Sequence, residues 1–208
     1  MDEVPIWNPE RFGIPKQFHE STLDNYEGNQ RLIESMKRYP GGGLVLRGVP
    51  GSGKTHMAVG LIRFLHDKSW TDHCTENIEA AKADQRPSNY QEFDAQFITA
   101  PDLLLKIRAS FNNNSNETEE HIVDRFSSCD LLVLDDLGAE HTTEFSLTTL
   151  YVLIDRRNSG MKDTIITTNL SQDQIEKKLS PRIASRLASW KNARIDMPDR
   201  RKEKKCLL

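Results

Sequence analysis

The chain has 208 residues, with 28 basic and 31 acidic side chains, which gives a formal net charge of −3. This length suits one domain with a core that needs no disulfide or metal to hold it together. The charge excludes a wholly basic nucleic-acid coat, so any contact with nucleic acid must come from a local patch. No apolar run approaches the roughly 18 residues that a membrane span needs. The first residues also lack the pattern of a secretory signal, so we expect no membrane anchor.

The three cysteines, Cys74, Cys129 and Cys206, lie far apart in the sequence and form no CxxC or CxxH pattern. This spacing excludes a zinc site or a disulfide framework as the organising feature of the fold. Free thiols are typical of a reducing compartment, so we expect a cytoplasmic protein.

Apolar runs and helical periodicity alternate along the chain after a polar, proline-punctuated segment at 1–40 that contains one short helix at 25–38. Continuous apolar strands that alternate with helices indicate an α/β fold, in which helices cover both faces of a parallel sheet. The predicted strands lie at 44–46, 96–99, 131–134, 164–168 and 193–197, and the predicted helices at 54–67, 101–111, 117–127, 143–159, 171–178 and 181–190.

Three segments interrupt this alternation. Residues 68–95 are polar and have little periodicity, so we expect an insertion that is helical only at 76–84 and otherwise loop. The asparagine-rich residues 112–116 predict a loop. Residues 200–205 (RRKEKK) hold five cations and one acid, which predicts either a phosphate-seeking arm or a solubilising end.

A glycine-rich motif follows the first predicted strand. Residues 48–55 (GVPGSGKT) match the P-loop pattern G-x-x-x-x-G-K-[ST] at every fixed position, between an apolar strand and an amphipathic helix. Glycines let backbone N–H groups turn toward a phosphate chain, and the helix N-terminus adds partial positive charge there. Lys54 is expected to reach the β- and γ-phosphates, and the Thr55 hydroxyl to hold Mg²⁺. The predicted nucleotide-binding residues are Gly48, Pro50, Gly51, Ser52, Gly53, Lys54, Thr55 and His56.

Two later strands end in polar side chains, with Asp135 and Asp136 after one and Asn169 after the other. Ligands of parallel α/β sheets bind outside the carboxyl ends of the strands, so we expect Asp135 near Mg²⁺. Successive strand side chains point opposite ways, which leaves Asp136 to orient and deprotonate an attacking water. Asn169 could hold that water or sense the γ-phosphate. The alternatives are solvated acids for the pair and a turn residue for Asn169.

Two arginines, Arg182 and Arg186, lie four residues apart on one face of the predicted helix at 181–190. P-loop enzymes use an arginine, supplied in cis or by a neighbour, to stabilise charge in the transition state. The alternative for both arginines is a solvated surface or an ion pair.

These motifs together resemble the AAA+ ATPases, and within them the DnaC/DnaI-type helicase loaders and their IstB-like transposition relatives. The resemblance covers nearly all of residues 15–198. It rests on residues 18–26 (FHESTLDNY), 43–65 (GLVLRGVPGSGKTHMAVGLIRFL), 97–111 (FITAPDLLLKIRASF), 129–138 (CDLLVLDDLG), 163–171 (DTIITTNLS) and 182–187 (RIASRL).

The resemblance implies a P-loop NTPase fold, a three-layer α/β sandwich with a five-stranded parallel sheet. It divides the chain into an N-terminal extension at 1–40, an AAA+ ATPase core at 41–198 with the polar insertion at 68–95, and a basic tail at 199–208. No lid domain and no separate helicase-gripping domain are expected, because the chain has no room for them. The implied roles are Lys54 and Thr55 as ATP·Mg²⁺ ligands, Asp135 as the Walker B metal ligand, Asp136 in place of the usual glutamate, Asn169 as sensor 1 and Arg186 as the arginine finger.

Asp136 departs from the general AAA+ pattern because it is one methylene shorter than glutamate. The effect of that departure falls on the hydrolysis rate rather than on ATP binding. The helices at 101–128 take the place of a helical insertion that faces single-stranded DNA in this family, with Lys106, Arg108 and Phe111 as candidate contacts. The alternative is a core position for Phe111 and solvated cations.

The function that this resemblance implies is ATP binding and hydrolysis at the interfaces of a head-to-tail homo-oligomer. The protein would bind single-stranded DNA and act in replication as a helicase-loader-like factor, with a replicative helicase as partner. One alternative is an IstB-like ATPase that coats duplex DNA and activates a transposase. The other is an ATP-switched module that recruits proteins with little turnover.

Overall fold

The computed structural model describes residues 6–82, 92–111 and 117–199. Its five strands form one sheet in the order β2-β3-β4-β1-β5, and every neighbouring pair is parallel. This arrangement confirms the predicted α/β fold with a five-stranded parallel sheet. The strands are β1 (Gly43–Gly48), β2 (Ala95–Thr99), β3 (Leu131–Leu137), β4 (Asp163–Thr168) and β5 (Lys191–Ile195).

Helices connect the strands. Each of the five helices that follow β2 begins directly after a Thr or Ser whose side chain caps its first turn. Pro181 begins the last helix, at a position where a missing N–H is tolerated. The helices are α1 (Gln30–Lys37), α2 (Lys54–Lys82), α3 (Ala100–Ser110), α4 (Glu119–Ser128), α5 (Glu144–Ser159), α6 (Gln172–Lys178) and α7 (Pro181–Ala188), and a 3₁₀ turn covers Lys16–Phe18.

Two hydrophobic clusters cover the two faces of the sheet. Leu44 and Leu46 of β1 lie in a cluster with α1, α2 and the segment that precedes α1, whereas Val45 lies in a cluster with α3 to α7. Successive residues of a strand therefore pack against helices on opposite faces of the sheet, and both faces are buried. This explains why the central strands read as unbroken apolar runs.

The segment before α1 packs on the α2 face of the sheet. Phe12 and Ile14 are buried there, and the Phe97 amide of β2 donates to the Phe12 carbonyl at 2.7 Å. The segment thus contributes to the same core as the sheet. The division into an extension at 1–40, a core at 41–198 and a tail at 199–208 stays a proposal.

Helix α2 is longer than the sequence pattern predicts. The predicted loop is wrong for residues 68–75, which continue α2 without a break, whereas the helix predicted at 76–84 is confirmed for residues 76–82. Met57, Leu61 and Ile62 are fully buried near the start of the helix, whereas Ile78 is exposed. The apolar periodicity fades because the later turns cover less of the core, and it does not mark the end of the helix. Residues 83–91, the loop predicted at 112–116 and residues 200–208 lie outside the described part of the chain.

All five strand boundaries differ slightly from the predicted ones, and the differences at β5 and β3 bear on the site. Strand β5 covers Lys191–Ile195 rather than 193–197, because its hydrogen bonds to β1 begin at Lys191 opposite Leu44. Strand β3 continues through its two aspartates to Leu137, with a register shift against β4 between Leu134 and Leu137. That irregularity lies at the predicted metal ligand.

The fully buried Arg157 joins three elements at the edge of the sheet where the strands begin. Its guanidinium donates to the carbonyls of Phe126 at 2.8 Å, Cys129 at 3.0 Å and Asp163 at 2.5 Å. Burial lowers the pKa of Arg157. Because these carbonyls would otherwise be buried without partners, Arg157 has a structural role at the edge away from the P-loop.

Candidate functional site

The P-loop turns sharply between β1 and α2. Gly51 and Gly53 have φ angles of 74° and 92°, a left-handed conformation that glycine adopts without steric cost. At Gly48 a Cβ would come within 2.6 Å of the Ile195 carbonyl oxygen, so the loop passes close to β5. Pro50 is exposed at the tip, whereas Ser52 is fully buried. The loop therefore needs its glycines for conformation and for close packing.

Lys54 lies at the carboxyl ends of β1 and β4 and is only 5% exposed. Its ammonium donates to the carbonyls of Gly48 at 3.1 Å and Val49 at 3.0 Å, and to Asn169 Oδ1 at 2.6 Å. Two residues that the sequence separates by 115 positions are thus in direct contact. A cation held in this way over the P-loop is suited to a phosphate ligand.

Asp135 lies next to this pair and is 4% exposed. The Thr55 hydroxyl donates to its two carboxylate oxygens at 3.0 and 3.1 Å, and the Thr167 hydroxyl of β4 donates to Oδ1 at 2.6 Å. A hydroxyl beside a carboxylate is the hard-oxygen pair that fits Mg²⁺, which takes one or two protein ligands together with phosphates and water. Among the described residues, no group of three or more His, Cys, Asp or Glu side chains is placed to hold a metal ion.

The ionisation of Asp135 depends on two opposing influences. Burial raises the pKa of Asp135 to about 6, and the neighbouring Asp136 acts in the same direction. The hydroxyls of Thr167 and Thr55 and the charge of Lys54 act the other way and favour the carboxylate. Asp135 is consequently ionised at pH 7, as a metal ligand must be, although its burial makes that charge costly.

Replacing Asp135 by asparagine is therefore expected to stabilise the nucleotide-free protein at pH 7.5 by about 3 kcal/mol. The pKa of the Asp135 carboxyl is raised in the folded protein, so burying its negative charge destabilises the fold. This destabilisation is full above pH 6, shrinks as the pH falls, and is absent below the unfolded pKa of about 3.9. Urea unfolding at pH 7.5 and pH 4 measures both free energies. The exposed Asp130→Asn variant is the control, and a gain at Asp135 that is equal at both pH values would contradict this cause.

Asp136 occupies the irregular position of β3. Its φ of 54° is left-handed, which is uncommon for a residue other than glycine, and its amide donates to the Thr167 hydroxyl at 2.9 Å. The Ala139 amide closes a turn onto the Asp136 carbonyl at 3.0 Å. Backbone strain of this kind persists where the surrounding structure holds it, often at functional sites. Thr167 thereby contacts both aspartates, a role that the sequence analysis did not assign to it.

His56 connects α2 to the segment that precedes α1. Its Nε2 lies 3.1 Å from the Thr22 carbonyl and 2.9 Å from Asn25 Oδ1, and its ring packs edge-on against Tyr26. Tyr26 in turn donates to the Ser52 carbonyl at 3.1 Å. The upstream segment therefore supports the back of the P-loop. The sequence pattern around Asn25 and Tyr26 did not predict this contact with the P-loop.

Arg186 lies on α7 and faces α5. Its Nε donates to Asp155 Oδ1 at 2.6 Å, and its side chain is 40% exposed. Hydrogen bonding to Asp155 raises the pKa of Arg186. Arg182, one turn earlier, stacks over the ring of Tyr151 at 6.0 Å. The structure does not bring Arg186 to Lys54 within one chain, and a role in a neighbouring subunit's site remains a proposal.

The candidate DNA contacts lie at the end of α3. Phe111 is 57% exposed and packs edge-on against Phe145, so the alternative of a core position for Phe111 is wrong. Lys106 forms an ion pair with Glu117 at 3.3 Å, and Arg108 is exposed. An exposed aromatic that follows Lys106 and Arg108 in the sequence is compatible with stacking on a base, and the contact itself stays a proposal. In the part of the chain that the structure describes, no helix is long and apolar enough to cross a membrane.

Comparisons with known proteins show which proteins this chain resembles in sequence and in fold. No model of a known protein family matches the chain. The replicative helicase loader DnaC of Buchnera aphidicola subsp. Acyrthosiphon pisum is 25% identical over 189 residues, which cover 85% of this chain and 67% of that protein. The chain thus spans about two thirds of the length of that DnaC.

Two solved structures show a similar fold. The crystal structure of a DnaC helicase loader superposes with a TM-score of 0.67 at 21% identity, over 88% of this chain and 100% of that one. The replication initiator DnaA bound to AMPPCP and single-stranded DNA gives 0.64 at 19% identity, over 89% of this chain and 54% of that one. Sequence similarity and fold similarity thus lead to the same group of proteins: the chain is similar in sequence to DnaC helicase loaders and has the fold seen in DnaC and DnaA.

Proposed function

We propose that this protein binds ATP with Mg²⁺, hydrolyses it, and acts in DNA replication as a helicase-loader-like factor in the cytoplasm. The observation that carries the proposal is the meeting of three strand ends. Lys54 contacts Asn169, and Thr55 contacts Asp135, at the carboxyl ends of β1, β3 and β4. This is the edge at which parallel α/β sheets bind their ligands.

Nucleotide binding uses the P-loop and the groups around it. The backbone N–H groups of Gly51 to Thr55 and the ammonium of Lys54 would bind the phosphates. Thr55 and Asp135 would hold Mg²⁺, which when bound neutralises charge on the phosphates. Thr167 keeps the Asp135 carboxylate in place through its 2.6 Å hydrogen bond.

Hydrolysis then needs a base, a group that orients water and a further cation. Asp136 would accept the proton of the attacking water, and Asn169 would orient that water. Arg186 would stabilise the transferring phosphoryl group in a neighbouring subunit. This role requires a head-to-tail homo-oligomer, because within its own chain Arg186 pairs with Asp155 of α5 and is not brought to Lys54.

The replication role is supported by the names of the relatives. DnaC proteins are named replicative helicase loaders, so a replicative helicase is the proposed protein partner. The similar DnaA was solved with AMPPCP and single-stranded DNA, and the exposed Lys106, Arg108 and Phe111 would supply the DNA contacts here. The IstB-like duplex-binding ATPase and the ATP-switched recruitment module remain the alternatives.

The preference between single-stranded and duplex DNA tests the replication role. With an ATP analogue at fixed salt, we expect tighter binding to single strands, and we expect Phe111→Ala to weaken it about tenfold through lost stacking. Leu105→Ala is the matched control, since Leu105 of α3 is also an exposed apolar residue, at 60% exposure. A preference for duplex DNA would favour the IstB-like alternative, and equal losses in both variants would contradict base stacking by Phe111.

A further inference from the structure

A pocket of about 600 Å³ opens beside the P-loop at the carboxyl ends of β4, β1 and β5. Its walls include Arg47, Val49, Asn169, Gln172, Arg194 and Met197. Its size is within the range of small-molecule sites. Lys54 joins the pocket to the phosphate site, because its ammonium donates to both the Val49 carbonyl and Asn169 Oδ1. The pocket is therefore continuous with the place where the terminal phosphate would lie.

Arg47 is the last residue of β1 before the P-loop glycine and has no acidic partner among the ion pairs of the described residues. Its terminal nitrogen donates to the neutral Gln172 Oε1, and its Nε is buried without a hydrogen-bond partner. Burial lowers the pKa of Arg47. A partly desolvated guanidinium with an unused donor is costly unless an anion binds it.

Arg194 lines the same pocket but, unlike Arg47, has an acidic partner. It forms an ion pair with Asp196 at 2.5 Å, and its side chain is 81% exposed. Its charge is therefore already balanced and well hydrated. Of the two arginines, Arg47 is the one that lacks an anion.

We propose that Arg47 binds the terminal phosphate of a nucleoside triphosphate in cis and so makes the site prefer ATP to ADP. The inference rests on the proposed ATP binding and adds a second cation to Lys54. The planar fork of arginine suits phosphate oxygens, and Gln172 holds the fork on the pocket side of β1. Arg47 would act from within the chain, whereas Arg186 would act on a neighbour.

Calorimetric titration with AMPPCP and with ADP, both with Mg²⁺, tests this role. For Arg47→Gln we expect about tenfold weaker binding of AMPPCP and ADP binding within about twofold of wild type, since only the triphosphate has the group that Arg47 contacts. Arg47→Lys keeps the charge without the fork and should retain part of the preference. Arg194→Gln, the matched control, should bind both nucleotides as wild type does, and thermal unfolding confirms that each variant folds.

Wild-type affinity of Arg47→Gln for AMPPCP, or an equal loss for both nucleotides, would overturn the inference. The proposed function has a separate test. If wild type binds both nucleotides and Lys54→Ala binds neither, ATP binding stands and only the role of Arg47 falls. If wild type binds neither nucleotide, both the proposed function and the inference fail.

Discussion

Replacing Lys54 by alanine is expected to abolish ATP binding, with a loss of affinity of at least about 100-fold. The ammonium is buried against Gly48, Val49 and Asn169, so it is already placed for the phosphates before they bind. Removing it takes away two or more charge-assisted hydrogen bonds, each worth about 1.5–3 kcal/mol. Isothermal titration calorimetry with ATP and Mg²⁺ measures the change.

The matched control for this variant is Lys162→Ala. Lys162 pairs with Asp130 at 3.6 Å just before β4, at the opposite edge of the sheet, and a surface pair of this kind contributes little. Its ATP affinity should equal that of wild type. Unchanged affinity in Lys54→Ala would exclude the P-loop as the nucleotide site.

Replacing Arg186 by alanine is expected to leave ATP binding intact and to lower hydrolysis by about 1,000-fold or more, the usual effect of losing an arginine finger. Within its own chain Arg186 contacts Asp155 of α5, and none of its hydrogen bonds involves the P-loop. A loss of turnover therefore reports on a neighbouring subunit. Titration of ATP and a phosphate-release assay separate the two effects.

Mixing two variants tests action in trans. Arg186→Ala has an intact P-loop and Lys54→Ala an intact arginine, so neither should hydrolyse ATP alone while the mixture should. Arg182→Ala is the control, because Arg182 stacks on Tyr151 and has no proposed catalytic role. Equal loss of binding and turnover in Arg186→Ala would instead indicate a structural role for its ion pair with Asp155.

The central features of the site were predictable because strand ends in a parallel sheet meet at one edge. A P-loop after β1, acids in β3 and an amide after β4 place Lys54, Asp135 and Asn169 together whatever the details of the loops. The structure confirms that Lys54 contacts Asn169 and that Thr55 contacts Asp135. Their chemical roles stay predictions.

The other features of the fold and the site could not be predicted, because they depend on contacts that leave no periodic pattern in the sequence. Residues 68–75 are helical although their pattern is polar, because they continue the backbone hydrogen bonds of α2, whose first turns are buried. Thr167 reads as an ordinary strand residue, yet it donates to Asp135 and accepts from the Asp136 amide. The sequence pattern assigned no role to Arg157 or Arg47, and only the fold shows that one is fully buried and the other borders the pocket.

Single-turnover hydrolysis by the wild-type protein tests the central claim most directly. Protein in excess over ATP is mixed with Mg²⁺, and released phosphate is followed at several protein concentrations. We expect Mg²⁺-dependent release whose rate per site rises with protein concentration, since each site would need Arg186 of a neighbour. ATP that is bound but stays intact at every concentration would contradict an ATPase and favour the recruitment module.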